Sequence, residues 1–175
     1  GYIGSHTVIQ LLDAGHRVVV LDNLCNSKRE VINRVETITG RRPEFVMGDI
    51  RDRVILRSVF AANQIGAVIH FAGLKAVGES VAEPLKYYDN NVSGSIVLFE
   101  EMARAGVKTL VFSSSATVYG DPHAVPIRED FPLGATNPYG QSKLMVESIV
   151  SDLYTSDSSW SIARLRYFNP VGAHD

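Results

Sequence analysis

A single cysteine, Cys25, among 175 residues leaves this chain no internal disulfide and no multi-thiolate zinc site. Such sparing use of cysteine points to a reducing compartment, and a cytoplasmic location is expected. Charge of one sign is equally scarce. The formal net charge is −2, and no basic run exceeds Lys28-Arg29 or Arg41-Arg42. A sequence-independent nucleic-acid binder depends on a basic excess or stripe, so no nucleic-acid partner is expected. No apolar stretch approaches the roughly 20 residues that a membrane-spanning helix requires. Repeats and low-complexity tracts are absent, and 45% hydrophobic with 21% charged residues is a globular balance that excludes extended disorder. His6, His16, His123 and His174 show no metal-ligand spacing, and His70 lies in an apolar run where a core histidine is the plainer reading. No metal is expected. The chain also lacks an initiator Met at Gly1 and stops at Asp175 in loop-like sequence.

What is present alternates between two periods. Short β-branched runs read as buried strands: Arg17 to Leu21, Glu44 to Met47, Ala67 to Phe71, Thr109 to Phe112 and Ser161 to Arg166. Between them, i, i+3, i+4 spacing predicts helices over Ser5 to Ala14, Lys28 to Thr39, Asp52 to Gln64, Pro84 to Ala105 and Pro138 to Thr155. Gly15, Gly40, Gly66 and Gly106 stand where helix-ending glycines belong. Pro122, Pro126, Pro132 and Pro138 mark a long ordered loop. Trp160 reads as a packing anchor at the entry to the last strand.

Strands alternating with helices, and apolar almost throughout, indicate an α/β doubly wound parallel sheet covered on both faces. One feature conflicts with a complete fold of that class. The chain opens on a helix, whereas the first strand of such a sheet lies in its middle. Residues 1–175 are therefore expected to form a Rossmann-like dinucleotide-binding domain, incomplete at both ends.

The chemistry-bearing residues follow the same order. Gly1-x-x-Gly4 before a helix would aim backbone N–H groups and a positive helix end at a pyrophosphate, although a helix-capping turn has the same sequence. Asp22 ends the next strand, 18 residues after Gly4. There an acid accepts hydrogen bonds from ribose hydroxyls and repels a 2′-phosphate, favouring NAD over NADP; a plain turn at Asp22-Asn23 is the competing reading. Asp49 at the end of the second strand suits a polar adenine contact or a helix N-cap. Phe71-Ala72-Gly73 lets the backbone pass beneath a flat cofactor, and Lys75 either reaches its phosphates or is merely solvated. Asn90-Asn91, two mediocre helix formers in succession, suggest that at least one has a polar task.

The sharpest constellation is Tyr139 and Lys143, i and i+4 near a helix start, with Ser115 at the end of the fourth of these strands before them. An ammonium beside a phenol, assisted by a cationic nicotinamide ring, favours the phenolate needed of a general base. Ser115 can hydrogen-bond the same substrate hydroxyl. An isolated Tyr-x-x-x-Lys is usually a core tyrosine with a snorkelling lysine. Here it follows a dinucleotide-like turn, an acid at the ribose position and a Ser-rich strand end, in that order.

With these residues in place, the chain resembles the nucleotide-binding lobe of the extended short-chain dehydrogenase/reductases, and most closely their sugar-nucleotide 4-epimerase branch. The resemblance spans nearly all of the chain. It rests on Gly1-Tyr2-Ile3-Gly4-Ser5-His6, Leu21-Asp22-Asn23-Leu24, His70 through Ser80, Tyr87-Tyr88-Asp89-Asn90-Asn91, Ser113 through Gly120 and Arg166 through Ala173. It implies a tightly held, recycled NAD. Gly1, Tyr2, Ile3 and Gly4 would lie at the pyrophosphate, and Asp22, Asn23, Leu24, Cys25, Asn26 and Ser27 at the adenosine ribose. Asp49 and Ile50 would border the adenine. Phe71, Ala72, Gly73, Leu74, Lys75 and Asn90 would line the rest, with Tyr167 and Phe168 at the nicotinamide end. Ser115, Tyr139 and Lys143 would be catalytic and would also touch the cofactor. Lys75, Ser115, Tyr139, Phe168 and Asn169 would meet a UDP-sugar.

The implied reaction interconverts UDP-glucose and UDP-galactose by transient oxidation at C4, with Tyr139 as base. A 4,6-dehydratase is disfavoured because Ser115-Ala116-Thr117 lacks the acidic pair that eliminates water. Asp22 disfavours an NADP reductase. A non-catalytic dinucleotide-binding module, or another nucleotide-sugar dehydrogenase, is the alternative. Gln141 departs from the lysine frequent at that position. The resemblance further implies a homodimer and a C-terminal substrate lobe, without which the 175 residues are expected to be nearly inactive.

Overall fold

In the computed structural model, which describes residues 1–174, five strands alternate with helices. Helix α1 (Tyr2–Asp13) leads into β1 (Val19–Asp22), α2 (Glu30–Thr39) connects β1 to β2 (Glu44–Met47), and α3 (Arg53–Ala62) connects β2 to β3 (Val68–His70). A longer excursion follows through α4 (Val77–Ala82), α5 (Pro84–Tyr87), a π-helical turn (Tyr88–Ser93) and α6 (Gly94–Arg104). Strand β4 (Thr109–Ser115) runs into a 3-10 turn (Ala116–Tyr119), and α7 (Pro138–Ser156) leads to β5 (Ser161–Tyr167).

All pairings are parallel, with Val19 opposite Glu44, Val68 opposite Leu110 and Thr109 opposite Ser161. Each therefore needs a crossover, and a helix lies in every one. This is the α/β parallel class expected from the alternation. Among the described residues the ladder is divided into β1-β2 and β3-β4-β5. β1 and β3 do not pair with each other.

The larger core gathers Leu56 of α3, Leu98, Phe99 and Met102 of α6, Leu110 and Phe112 of β4, and Val146 and Val150 of α7. Trp160 joins it at the entry to β5, as its position suggests. A fully buried side chain of this size contributes about 2 kcal/mol or more. A second cluster, Ile9, Leu12 and Val35, joins α1 to α2.

Several boundaries differ from expectation. Helix α1 begins at Tyr2 rather than Ser5. The continuous helix expected from Pro84 to Ala105 is broken, because the chain widens into a π-turn where Asn91 turns its side chain to tertiary partners. A short helix, α4, precedes it. Gly15, Gly40 and Gly106 adopt positive φ at helix ends, whereas Gly66 does not. Helix α3 ends instead at Asn63, whose side-chain amide donates to the Val59 carbonyl at 3.2 Å. Residues 121–137 form the long loop with no helix or strand. It is pinned at Gly120 (φ 59°), where a Cβ would lie 1.9 Å from the Gly134 carbonyl oxygen, so only glycine fits. No described helix is long and apolar enough to cross a membrane.

Candidate active site

The carboxyl ends of both strand groups converge on the start of α1. The Gly1 nitrogen is 3.6 Å from Asp22 Oδ2 at the end of β1. A Cβ on Gly4 would sit 3.6 Å from the Phe71 ring, just past β3. The Tyr2 hydroxyl donates to the Gly172 carbonyl, beyond β5, at 2.5 Å. Tyr2, Ile3, His6, Tyr167 and Gly172 line an open groove of about 370 Å³.

Gly1 caps α1 without a side-chain acceptor, and no acid lies in the first turn. The first-turn N–H groups, which have no intrahelical partner, are thus not claimed by a side-chain cap. An anion such as a phosphate suits that position. Asp22 shapes the following turn: its Oδ1 accepts from the Leu24 N–H at 2.7 Å and the Ser27 hydroxyl at 2.9 Å. Leu24 is forced to φ 61°, a conformation uncommon for a branched residue. Cys25 is exposed, with its N–H donating to Asn23 Oδ1 at 3.1 Å, and Asn26 is also exposed.

Asn23 Nδ2 donates to Asp49 Oδ2 at 2.9 Å, linking the ends of β1 and β2. Arg51 grips Asp49 from its side chain and its backbone N–H, and with Asn23 holds the carboxyl well below the usual carboxylate range despite partial burial. Arg51 also donates to Asp89 at 2.6 Å. The N-cap role belongs to Asp52, which accepts from the Val54 and Ile55 N–H groups. Asp49 is therefore not the cap. Ile50 is buried against Gly94.

After β3, the Phe71 ring lies 6.4 Å from that of Tyr167, Ala72 and Gly73 are partly buried, Leu74 is buried and Lys75 is exposed. Asn91, 3% exposed, holds this loop: Leu74 N–H donates to Oδ1 at 2.8 Å, and Nδ2 donates to the Leu74 carbonyl at 3.0 Å and to Ser142 Oγ at 3.0 Å. Asn90 donates to Asn91 at 2.9 Å. Of the asparagine pair, Asn91 carries the tertiary bonds, and only two poor helix formers in succession hinted at it.

Ser115 ends β4. Its Oγ accepts from the Thr117 N–H at 3.2 Å and the Thr117 hydroxyl at 3.0 Å, so its own proton is left to donate elsewhere. Helix α7 starts sharply, with Asn137 Oδ1 capping the Gly140 N–H at 2.9 Å and Pro138 in the first turn. Tyr139, half-buried, and Lys143, 6% exposed, then share one helix face. Lys143 Nζ donates to the Ser113 carbonyl at 2.8 Å, lies 5.1 Å from the Phe112 ring centre and would be 3.4 Å from a Cβ on Gly73. Burial lowers its pKa to about 8. The structure thus brings Lys143 beside both the β4 end and the loop after β3.

His70 is a satisfied core histidine. Ser95 donates to the Asn91 carbonyl at 2.5 Å, so at 2.8 Å it accepts from His70 Nε2–H. Burial, and then the Lys143 charge, lowers this imidazole to about 3. Phe168 (57%) and Asn169 are exposed beyond β5. Among the described residues, no group of three or more His, Cys, Asp or Glu could hold a metal ion.

Residues 1–175 match the family described as NAD dependent epimerase/dehydratase. The chain is 67% identical over 176 residues to a UDP-glucose 4-epimerase of Neisseria meningitidis serogroup A, covering 100% of this chain and 52% of that one. It superposes with a TM-score of 0.97 on the Stenotrophomonas maltophila UDP-glucose-4-epimerase with bound NAD and formylated UDP-arabinopyranose, at 52% identity, covering 99% of this chain and 52% of that one. For the Bifidobacterium longum UDP-glucose 4-epimerase in complex with NAD+ and UDP, the TM-score is 0.96 at 54% identity, covering 98% of this chain and 52% of the other. The chain spans about half the length of the curated relatives it matches.

Proposed function

The chain belongs to the NAD dependent epimerase/dehydratase family, and from that premise we propose that the natural protein carrying it interconverts UDP-glucose and UDP-galactose through transient oxidation at sugar C4. The observation that carries this reading is a buried lysine, Lys143, on the same helix face as Tyr139, beside the strand end that presents Ser115. Burying an amine is costly, and a perturbed lysine in a cleft is characteristic of chemistry rather than packing.

The residues fit NAD. The first turn of α1 has N–H groups free for its pyrophosphate, Asp22 is poised for ribose hydroxyls, and Gly73 lets the backbone pass close to Lys143, whose Nζ would be 3.4 Å from a Cβ there. When bound, NAD supplies a hydride acceptor that can return the hydride. Tyr139, as phenolate, takes the proton of the sugar 4-hydroxyl and later gives it back. Ser115 donates its free proton to the same oxygen. Lys143 supplies positive charge that favours phenolate. The 3-10 turn Ala116-Thr117-Val118-Tyr119 contains no carboxylate, so no residue there serves to eliminate water from the sugar.

A homodimer is proposed for the natural protein, with exposed Ile96 of α6 and Met145 of α7 as candidates for its contact; mass in solution tests it. A cytoplasmic location is proposed with it. The reaction itself is tested by supplying UDP-galactose and NAD to the natural protein and coupling UDP-glucose formation to absorbance. Tyr139→Phe is expected to lower kcat by about 100-fold or more. Undiminished turnover in that variant overturns the role of Tyr139. Retention of NAD without any conversion by the unsubstituted protein favours the non-catalytic dinucleotide-binding module instead.

A further inference from the structure

Behind the reacting groups lies an ion pair to which the mechanism above gives no task. Glu147, 2% exposed, follows Lys143 by one turn of α7. Arg166 of β5 grips it from two sides, Nη2 to Oε2 at 2.7 Å and Nε to Oε1 at 3.0 Å. The Ser114 hydroxyl donates to the same carboxylate. Arg166 Nη1 donates to the Tyr119 hydroxyl at 2.7 Å, and the guanidinium stacks 4.9 Å from the Tyr119 ring centre. A longer bond reaches the Glu129 carbonyl at 3.4 Å. Burial alone would raise the Glu147 carboxyl, yet Arg166 and Ser114 together hold it below its ordinary value, so it is a carboxylate.

A buried pair of this kind adds little net stability compared with apolar residues of equal volume. What distinguishes this one is the set of segments it joins. Ser114 immediately precedes Ser115. Glu147 shares α7 with Tyr139 and Lys143. Arg166 precedes Tyr167, and Tyr119 ends the turn that begins after Ser115. Glu129 lies in the loop that leads into α7.

We propose that the Glu147–Arg166 pair is a positioning device that fixes Ser115 relative to Tyr139, with Ser114 and Tyr119 as its two attachments on the β4 side. This rests on the catalytic reading above. Neither partner touches the reacting atoms in this scheme.

Glu147→Gln would leave a partly buried guanidinium without its counter-charge, so the test uses milder variants of the NAD-loaded natural protein, Ser114→Ala and Tyr119→Phe. Each removes one hydroxyl and leaves the pair intact. Each is expected to lower kcat for UDP-galactose about tenfold per NAD-loaded molecule, while KM stays within about twofold. Ser114→Thr, which restores the hydroxyl, is expected to recover most of the loss. Unchanged kcat in both folded variants overturns the proposal, as does a loss explained wholly by a smaller folded fraction. Hydrogen exchange separates this outcome from failure of the catalytic reading. If the unsubstituted protein converts no UDP-galactose, faster amide exchange in both 113–120 and 138–143 of Ser114→Ala still supports the coupling, and unaltered exchange overturns it.

Discussion

Asn91 holds Leu74 by both of its backbone polar groups, accepting from the N–H at 2.8 Å and donating to the carbonyl at 3.0 Å. A single buried amide therefore does for the loop after β3 what a neighbouring strand would do, and ties it to Ser142 of α7 as well. Replacing it with Leu leaves both Leu74 groups buried and unpaired. Such losses cost about 1–3 kcal/mol per group. Asn91→Leu is expected to lower unfolding stability by about 2–5 kcal/mol and NAD affinity by at least about tenfold. Urea unfolding and calorimetric titration with NAD check the two effects.

Lys143 carries a cost in stability. Its ordinary value is 10.5, and burial holds it at about 8 in the fold. The unfolded chain therefore binds more protons between those values, and stability rises with pH across that window. Below the lower value the native state carries a desolvation penalty of roughly 3 kcal/mol at most. Lys143→Met, similar in size and uncharged, is expected to be more stable than the parent by about 1–3 kcal/mol near neutral pH, with the difference vanishing at about pH 11. The same variant should convert UDP-galactose at least about 100-fold more slowly. Urea unfolding of cofactor-free protein at both pH values, beside the coupled assay, tests whether stability and turnover move in opposite directions.

Asp22 is expected to choose the cofactor. Its Oδ1 is engaged by Leu24 and Ser27, while Oδ2 faces the start of α1. Asp22→Asn keeps an oxygen for the turn and removes the charge that repels a 2′-phosphate. The preference for NAD over NADP is expected to fall by about tenfold or more, close to the value of one charge-assisted hydrogen bond. Competitive titration of the two cofactors measures it. An unchanged ratio would remove Asp22 from the ribose site.

These predictions differ in how far the sequence alone could lead to them. Asp22, Ser115, Tyr139 and Lys143 were legible because parallel strands deliver their ends to one edge, and because i, i+4 spacing fixes a helix face whatever surrounds it. Asn91 was legible only as one of a pair. Its task depends on Leu74 and Ser142, 17 and 51 residues away in sequence. The π-turn around it was hidden for the same reason, since apolar spacing from Pro84 to Ala105 continues through the break. The pairing of Glu147 with Arg166 was hidden too: Arg166 opens a stretch that carries the resemblance, but a glutamate within a helix and an arginine within a strand are ordinarily solvated, and nothing joins them in sequence. For Asp49 the sequence left an adenine contact and a helix N-cap both open, and the cap falls instead to Asp52, three residues on, whose carboxylate reaches the Val54 and Ile55 N–H groups.

Gly140 offers the most direct check on the fit between α7 and the strand end. A Cβ there would lie 2.8 Å from the Thr117 carbonyl oxygen, 3.1 Å from the Ala135 Cβ and 3.2 Å from Thr117 Oγ1. The nearest of these is backbone and cannot yield without moving the turn that follows Ser115. Thr117 also donates twice to Ser115 Oγ, so displacement of one carries to the other. Gly140→Ala is expected to cost about 1–3 kcal/mol of stability through overpacking, although alanine is the better helix former. It should also reduce kcat by at least about tenfold, because Tyr139 and Ser115 are pushed apart at the first turn of α7. Gly78→Ala is the matched control. Gly78 lies within α4 with nothing inside 4 Å of an added Cβ, so the same substitution there should leave turnover unchanged and stabilise slightly. Equal turnover in the two alanine variants would mean that the contact between Gly140 and Thr117 does not set the distance on which the reaction depends.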